Sequence, residues 1–295
     1  MDSLADSPPT AWLPLTPSGV AAFARASFSR LWLVQILAAM LVAGTVLWVL
    51  NARWFPVVSA AVEHLPKTGG IHGGRLECGG EPVQPLAESR FIAFAIDLQH
   101  AGQARSPSQI QVEFGQTNLR VYSVFGVAEI PYPVSLAVPF NFQELKPWWG
   151  AWAPVVLAIA ALGTVLALLL SWTILATVYC VVAWLLGFFL NRDLTWRGSW
   201  LLSGAALIPG ALVMVAAIAG YGLGKLDLIR FLTGWCFHFV VGWAYLILGT
   251  TAAPKIAVLA ATTANPFTTP AAIETQETCA KEEKTEVNIF RPSGD

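Results

Sequence analysis

Few residues in this chain are equipped for chemistry, and they lie far apart. His238 is the one ionisable side chain deep in an apolar run, residues 228–248. An ionisable group inside a membrane span is a functional candidate by default. As a proton relay or metal ligand it would want acidic or histidine partners at similar depth, and the other apolar runs offer none. Gly234 and Gly242 stand four residues to either side, so the three share one helical face. Small residues at that spacing let helices approach closely, which suits a neutral histidine hydrogen-bonded across a helix interface. Pro209 lies inside the preceding apolar run and predicts a kink whose freed carbonyl neighbouring helices must cover. Pro209 and His238 together could also line a cavity for a small solute or ion, although no inverted repeat or matching pair of broken helices accompanies them.

The remaining patterns are weaker. His64, His72 and Cys78 fall in one glycine-rich polar segment, but their spacing matches no zinc pattern. Gly220-x-Gly222-x-Gly224-Lys225 has the composition of a phosphate-binding loop without its G-x-x-x-x-G-K-[ST] order, and it closes an apolar run instead of following a strand. There is no G-x-S-x-G and no H-E-x-x-H. The cysteines Cys78, Cys180, Cys236 and Cys279 form no C-x-x-C and no evident disulfide framework. These readings assign no catalytic, cofactor-binding or metal residue; the residues singled out for function or packing are His238, Gly234, Gly242 and Pro209.

The elements that would hold these residues are set by the bilayer. Charged residues make up 12% of the chain, against about 25% in soluble proteins. The net charge of −1 gives no basic field for nucleic acid. Residues 151–190 carry no charge at all; as a helix they would extend about 60 Å, roughly twice a hydrocarbon core. That length predicts two spans folded back on each other, 150–171 and 173–190, with the reversal at Ser171-Trp172-Thr173. Trp148, Trp149 and Trp152 mark one interface and Trp172 the other. One very long helix is the alternative, since no glycine, proline or charge marks a turn there. Spans are also expected at 31–50, 199–223 and 228–248. The first reads as an uncleaved signal anchor, because its lead-in is too long for an n-region and no small-x-small site follows.

Residues 1–30 precede that span and include a short helix at 19–30 capped by Ser18, lying on the membrane surface or extending the span. Arg25 and Arg30 put this end in the cytoplasm. Residues 51–149 read as an extracytoplasmic β-rich domain. Residues 90–98 form a buried strand, and 109–114 alternate as Q-I-Q-V-E-F with Ile110, Val112 and Phe114 on one face. After Gly115, residues 118–125 return as a hairpin partner. Such a domain has few residues for an independent core and should lean on the spans or on a partner. Residues 250–295 read as a disordered tail. The expected fold is thus an all-α membrane bundle of five spans (four if 151–190 is one helix) with a small extracytoplasmic β-rich domain between the first and second.

Three features carry a likeness to a known family. The lead Pro17 to Arg25 runs on to Arg30-Leu31; a strand-containing outer segment of about a hundred residues follows the first span; and a basic loop containing Arg192 and Arg197 precedes a helix bearing Ala206-Leu207-Ile208-Pro209. In these the chain resembles an uncharacterised family of bacterial membrane proteins, some labelled maltodextrin-utilisation proteins, distantly similar to Yip-type five-span proteins. The resemblance implies an architecture and a multi-pass place in the bacterial inner (cell) membrane. It implies no active site that maps onto these residues.

The expectation for function is an integral membrane protein that is not an enzyme. It would serve as an accessory or regulatory subunit whose outer domain or spans contact another membrane protein, with the lipid bilayer as its other partner. The alternative is a small-solute or ion transporter or channel. A membrane-embedded hydrolase would need a nucleophile and base at matching depth, and the sequence shows no such pair.

Overall fold

The computed structural model describes residues 12–256. The expectation of a disordered tail falls almost wholly outside them, as does Cys279. Among the described residues, four helices are long and apolar enough to cross a membrane. The first joins α2 (Phe28–Val49) to α3 (Phe55–Glu63) through one π-helical turn, Leu50–Trp54. The others are α4 (Phe142–Phe189), α5 (Trp196–Gly222) and α6 (Leu228–Ala252). Ser27, Asn141, Thr195 and Asp227 cap α2, α4, α5 and α6, each side chain accepting the backbone N–H three residues on.

The reversal expected at Ser171-Trp172-Thr173 is not there: α4 is one helix of 48 residues. The Ser171 and Thr173 hydroxyls are satisfied within the helix, Ser171 donating to the Leu168 carbonyl and Thr173 to that of Leu169. A run of this length need not fold back, because protein covers one side of its second half: Trp172, Ala176, Tyr179, Cys180, Ala183 and Gly187 are buried against the bundle. The helix also extends upstream of the run. Phe142 and Leu145 pack into the sheet core, and Trp149 donates to Ser59 on α3 at 3.0 Å. The helix therefore begins at Phe142, inside what was read as the outer domain. The joined α2–α3 helix likewise continues beyond residue 50, so the two rise together beyond the ends of α5 and α6. The N-terminal segment also differs from its reading. α1 (Pro17–Ala22) is capped by Thr16, not Ser18, and ends in a single 3₁₀ turn before Ser27 starts α2. It packs against the bundle, with Val20 and Phe23 fully buried.

α5 is the centre of the bundle. Of its apolar stretch 72% is buried, against 11% for α6, as expected of a helix that is apolar all round. Small residues set the spacing. A Cβ on Gly210 would sit 2.8 Å from the His238 carbonyl oxygen, and one on Gly198 equally close to that of Ala24. α4 and α6 leave large apolar side chains exposed along their outer faces, among them Ile159, Leu166, Leu170, Phe237 and Val240.

Eight strands lie between α3 and α4. β1 (Gly69–His72), β2 (Arg75–Cys78) and β8 (Val138–Pro139) form a sheet of order β2-β1-β8. β3 (Val83–Glu88), β4 (Ile92–Asp97), β5 (Ile110–Phe114), β6 (Asn118–Ser123) and β7 (Gly126–Pro131) pair in sequence order. β5 and β6 make the antiparallel hairpin that the alternation indicated. β4 and β5 are parallel, so the chain between them crosses over the sheet. The core joins Leu86, Ile96 and Phe140 to Ala61 and Leu65 at α3. The domain leans on the helices, because the sheet alone cannot cover that face.

Candidate functional site

The junction between sheet and helices is built from the end of α5. Gly224, at φ +72°, ends that helix, and the Lys225 and Leu226 amides donate back to the Gly220 carbonyl. The glycine–lysine stretch is therefore a helix C-cap. Its amides are already used, and basic side chains approach its carbonyls: Arg53 donates to Gly222 at 2.7 Å, and Arg90 of the sheet domain donates to Gly224. The Tyr221 hydroxyl donates to the Gln109 side-chain oxygen at 2.7 Å, and its ring meets Phe91 edge-on at 5.0 Å. These contacts fix the sheet domain on the ends of the helices.

A buried polar cluster shapes the crossover between β4 and β5. The Asp97 carboxylate, wholly buried, accepts from the Ala101 and Gly102 amides. Gln111 accepts from the Ser106 amide and donates to the Ala104 carbonyl, both at 2.9 Å. Glu113, also wholly buried, bonds His100, whose other ring nitrogen lies 2.6 Å from the Asn118 side-chain oxygen. His100 holds φ +52°, a left-handed conformation that the two side-chain bonds compensate. Each buried polar group thus shapes the loop instead of lying idle.

That loop walls a cleft of about 500 Å³ against the first turn of α6. Arg105, Ser106, Gln109, Val124, Leu228 and Ile229 are among the residues that line it. The Arg105 guanidinium lies over the Tyr122 ring, 4.2 Å from its centroid. Asp227 also faces the cleft, but its carboxylate caps α6 and pairs with Arg230 at 3.5 Å. Sequence reasoning missed this site. Its members come from three separate stretches, and only the crossover and the α5–α6 loop bring them together.

The residues singled out from sequence lie elsewhere. Gly234, His238 and Gly242 face α5: a Cβ on Gly234 would touch Ala217 at 3.3 Å, and one on Gly242 would reach Leu207. The His238 ring bonds the Trp235 carbonyl of its own helix. It borders a crevice of about 20 Å³ with Trp172, Tyr179 and Leu207, room for a single water. Pro209 is buried within α5, which runs unbroken through it. The His64 ring bonds the Ala60 carbonyl at 2.7 Å. His72 and Cys78 border a shallow cleft on the β1–β2 hairpin, apart from His64, and burial pushes the Cys78 thiol pKa up. Among the described residues, no three histidine, cysteine, aspartate or glutamate side chains gather as metal ligands would. Compared with known proteins, the chain matches no family model, no curated protein and no solved structure.

Proposed function

We propose that the chain is a non-enzymatic accessory or regulatory protein of a cell membrane, crossing the bilayer four times and presenting its sheet domain to a protein partner on the outer side. In the proposed placement α2, α4, α5 and α6 cross the bilayer, and the ends at Trp12 and Pro254 share one face. Arg25, Arg30, Arg192 and Arg197 gather toward that face, which makes it cytoplasmic by the positive-inside rule. The Arg25–Asp193 pair at 3.0 Å ties two of the segments concerned. At the other end Arg53 and Arg90 are engaged with helix carbonyls.

One observation carries the interaction reading. β7 is the edge of the five-stranded sheet and all six of its residues are exposed, including the apolar Val127 and Ile130. Open edges invite another strand, and natural proteins cover or charge them; here only Glu129 and Pro131 blunt the edge. A partner segment added alongside β7 would close it. The interior of the bundle supports this reading over transport, since the crevice beside His238 has room for only one water and most of the apolar stretch of α5 is buried. It is favoured over catalysis because His64, His100 and His238 bond only carbonyls, a carboxylate or an amide oxygen, and none bonds a serine or cysteine.

Photo-crosslinkers placed at Val127 and Glu129 in native membranes test the proposal. A single partner band at both positions, missing when the crosslinker replaces Glu77 on β2, is the expected result. Crosslinks to the chain alone, or equal labelling at Glu77, would rule out the β7 edge as the contact.

A further inference from the structure

We infer that the cleft between the β4–β5 crossover and the start of α6 binds the phosphate-bearing headgroup of an anionic phospholipid, whose chains run down the outer face of α6. The inference rests on the membrane placement proposed above and gives that surface a ligand.

The first ground is an excess of donors. Arg105 faces the cleft and makes no ion pair among the described residues. Its stacking on Tyr122 fixes the guanidinium plane without using its N–H groups. The Gln109 side-chain oxygen is taken by the Tyr221 hydroxyl, which leaves its NH₂ as a donor beside Arg105. The Ser123 hydroxyl oxygen accepts from the Phe125 amide, so its own proton is also free to donate. The one carboxylate in the lining, Asp227, is occupied by Arg230 and by the α6 amide it caps. An arginine fork with amide and hydroxyl donors suits a phosphodiester.

The second ground is where the cleft opens. At about 500 Å³ it falls within the range of small-ligand sites, and its lining includes the apolar Val124, Leu228 and Ile229 beside the polar groups. Ile229 on the first turn of α6 is 66% exposed and Val124 is 52% exposed; Phe125, next to Val124 at the tip of the β6–β7 hairpin but outside the lining, is 81% exposed. In the proposed placement this is the level at which α6 enters the bilayer. A soluble anion would use the donors and leave these side chains in water, whereas a phospholipid uses both.

The full-length protein, purified in mild detergent with a mixed phosphatidylglycerol–phosphatidylcholine supplement, is examined by native mass spectrometry. One phosphatidylglycerol retained per chain is expected, with about tenfold or greater loss of retention in Arg105→Gln, the size of effect that follows from removing one charge-assisted hydrogen bond. Val124→Asp, which places a carboxylate at an exposed position of the lining, should lose it as well. Arg75→Gln, on β2 away from the cleft, should retain it. Retention unchanged in both Arg105→Gln and Val124→Asp would overturn the site. Displacement of the lipid by an equal concentration of glycerophosphoglycerol, which has the head without the chains, would assign the cleft to a soluble phosphodiester and overturn the lipid. Carbonate washing of membranes separates the two levels: loss of the protein into the wash refutes the membrane placement itself, whereas failure of the variants with the protein still embedded refutes only the ligand.

Discussion

Replacing Gly210 by alanine should lower stability, although the same change at Gly163 should raise it. Both glycines are helical, and in a helix alanine is favoured over glycine by about 1 kcal/mol. Gly163 on α4 has no heavy atom within 4 Å of an added Cβ, so Gly163→Ala should gain most of that amount. At Gly210 the new Cβ would lie 2.8 Å from the His238 carbonyl oxygen. The obstacle is backbone, so no side chain can turn aside, and α5 and α6 must part by several tenths of an ångström along their contact. Overpacking of this kind costs about 1–3 kcal/mol, which cancels or exceeds the propensity gain. The net expectation is a loss of about 1 kcal/mol, from a cost near 2 set against the gain. For a chain of this size that is a fall of roughly 2–4 °C in Tm, against a rise for Gly163→Ala. Thermal unfolding of both variants in the same detergent, followed by tryptophan fluorescence, measures the difference. If Gly210→Ala stabilises as much as Gly163→Ala, the close α5–α6 crossing is wrong, and with it the place of His238 on that interface.

Two further outcomes follow. A reporter active only in the cytoplasm should be active when fused after Pro254 and silent when fused near Gly102; silence at both positions would restore a reversal within α4, and the opposite pattern would invert the placement. His100→Ala leaves the buried Glu113 side chain with only the 3.4 Å bond from Gln111 and should destabilise the sheet domain by about 1–3 kcal/mol; hydrogen exchange should show the 98–109 crossover opening first, and an unchanged exchange pattern would deny the cluster its role.

Much of the sheet is legible locally. The alternation of Ile110, Val112 and Phe114 is a period-2 signal, and the glycine after it sets the hairpin. The parallel pairing of β4 with β5 is not legible, since it depends on Asp97, Gln111 and Glu113 being buried beneath a crossover that only the folded chain provides. The helical runs announce themselves by hydropathy, yet their number was misread at one place. Length alone implies a fold-back only if lipid is the sole cover for apolar surface, whereas Trp172, Tyr179 and Ala183 within the run are buried against the other helices. His238 drew attention because charge is rare in a span, but its helix face is filled by Gly210 and Leu207. The cleft drew none, because Arg105, Gln109 and Ile229 are ordinary residues until the α5–α6 loop brings them together.

The continuity of α4 has a mechanical consequence. A helix of 48 residues is a rod of about 72 Å, with no loop between the sheet core at Phe142 and the segment ending at Leu190. It therefore acts as a lever. A tilt of about 5° imposed through the sheet domain moves the far end by about 6 Å relative to the near one, roughly one helical turn. At that far end Gly187 is packed against Leu194, and Arg192 donates to the Ala253 carbonyl, so the displacement would be delivered straight to the α4–α5 loop and the end of α6. Between Pro154, the last proline inside the helix, and Phe189 the rod has no proline to bend at, so force applied at the sheet end would be passed along this stretch toward the opposite end of the bundle.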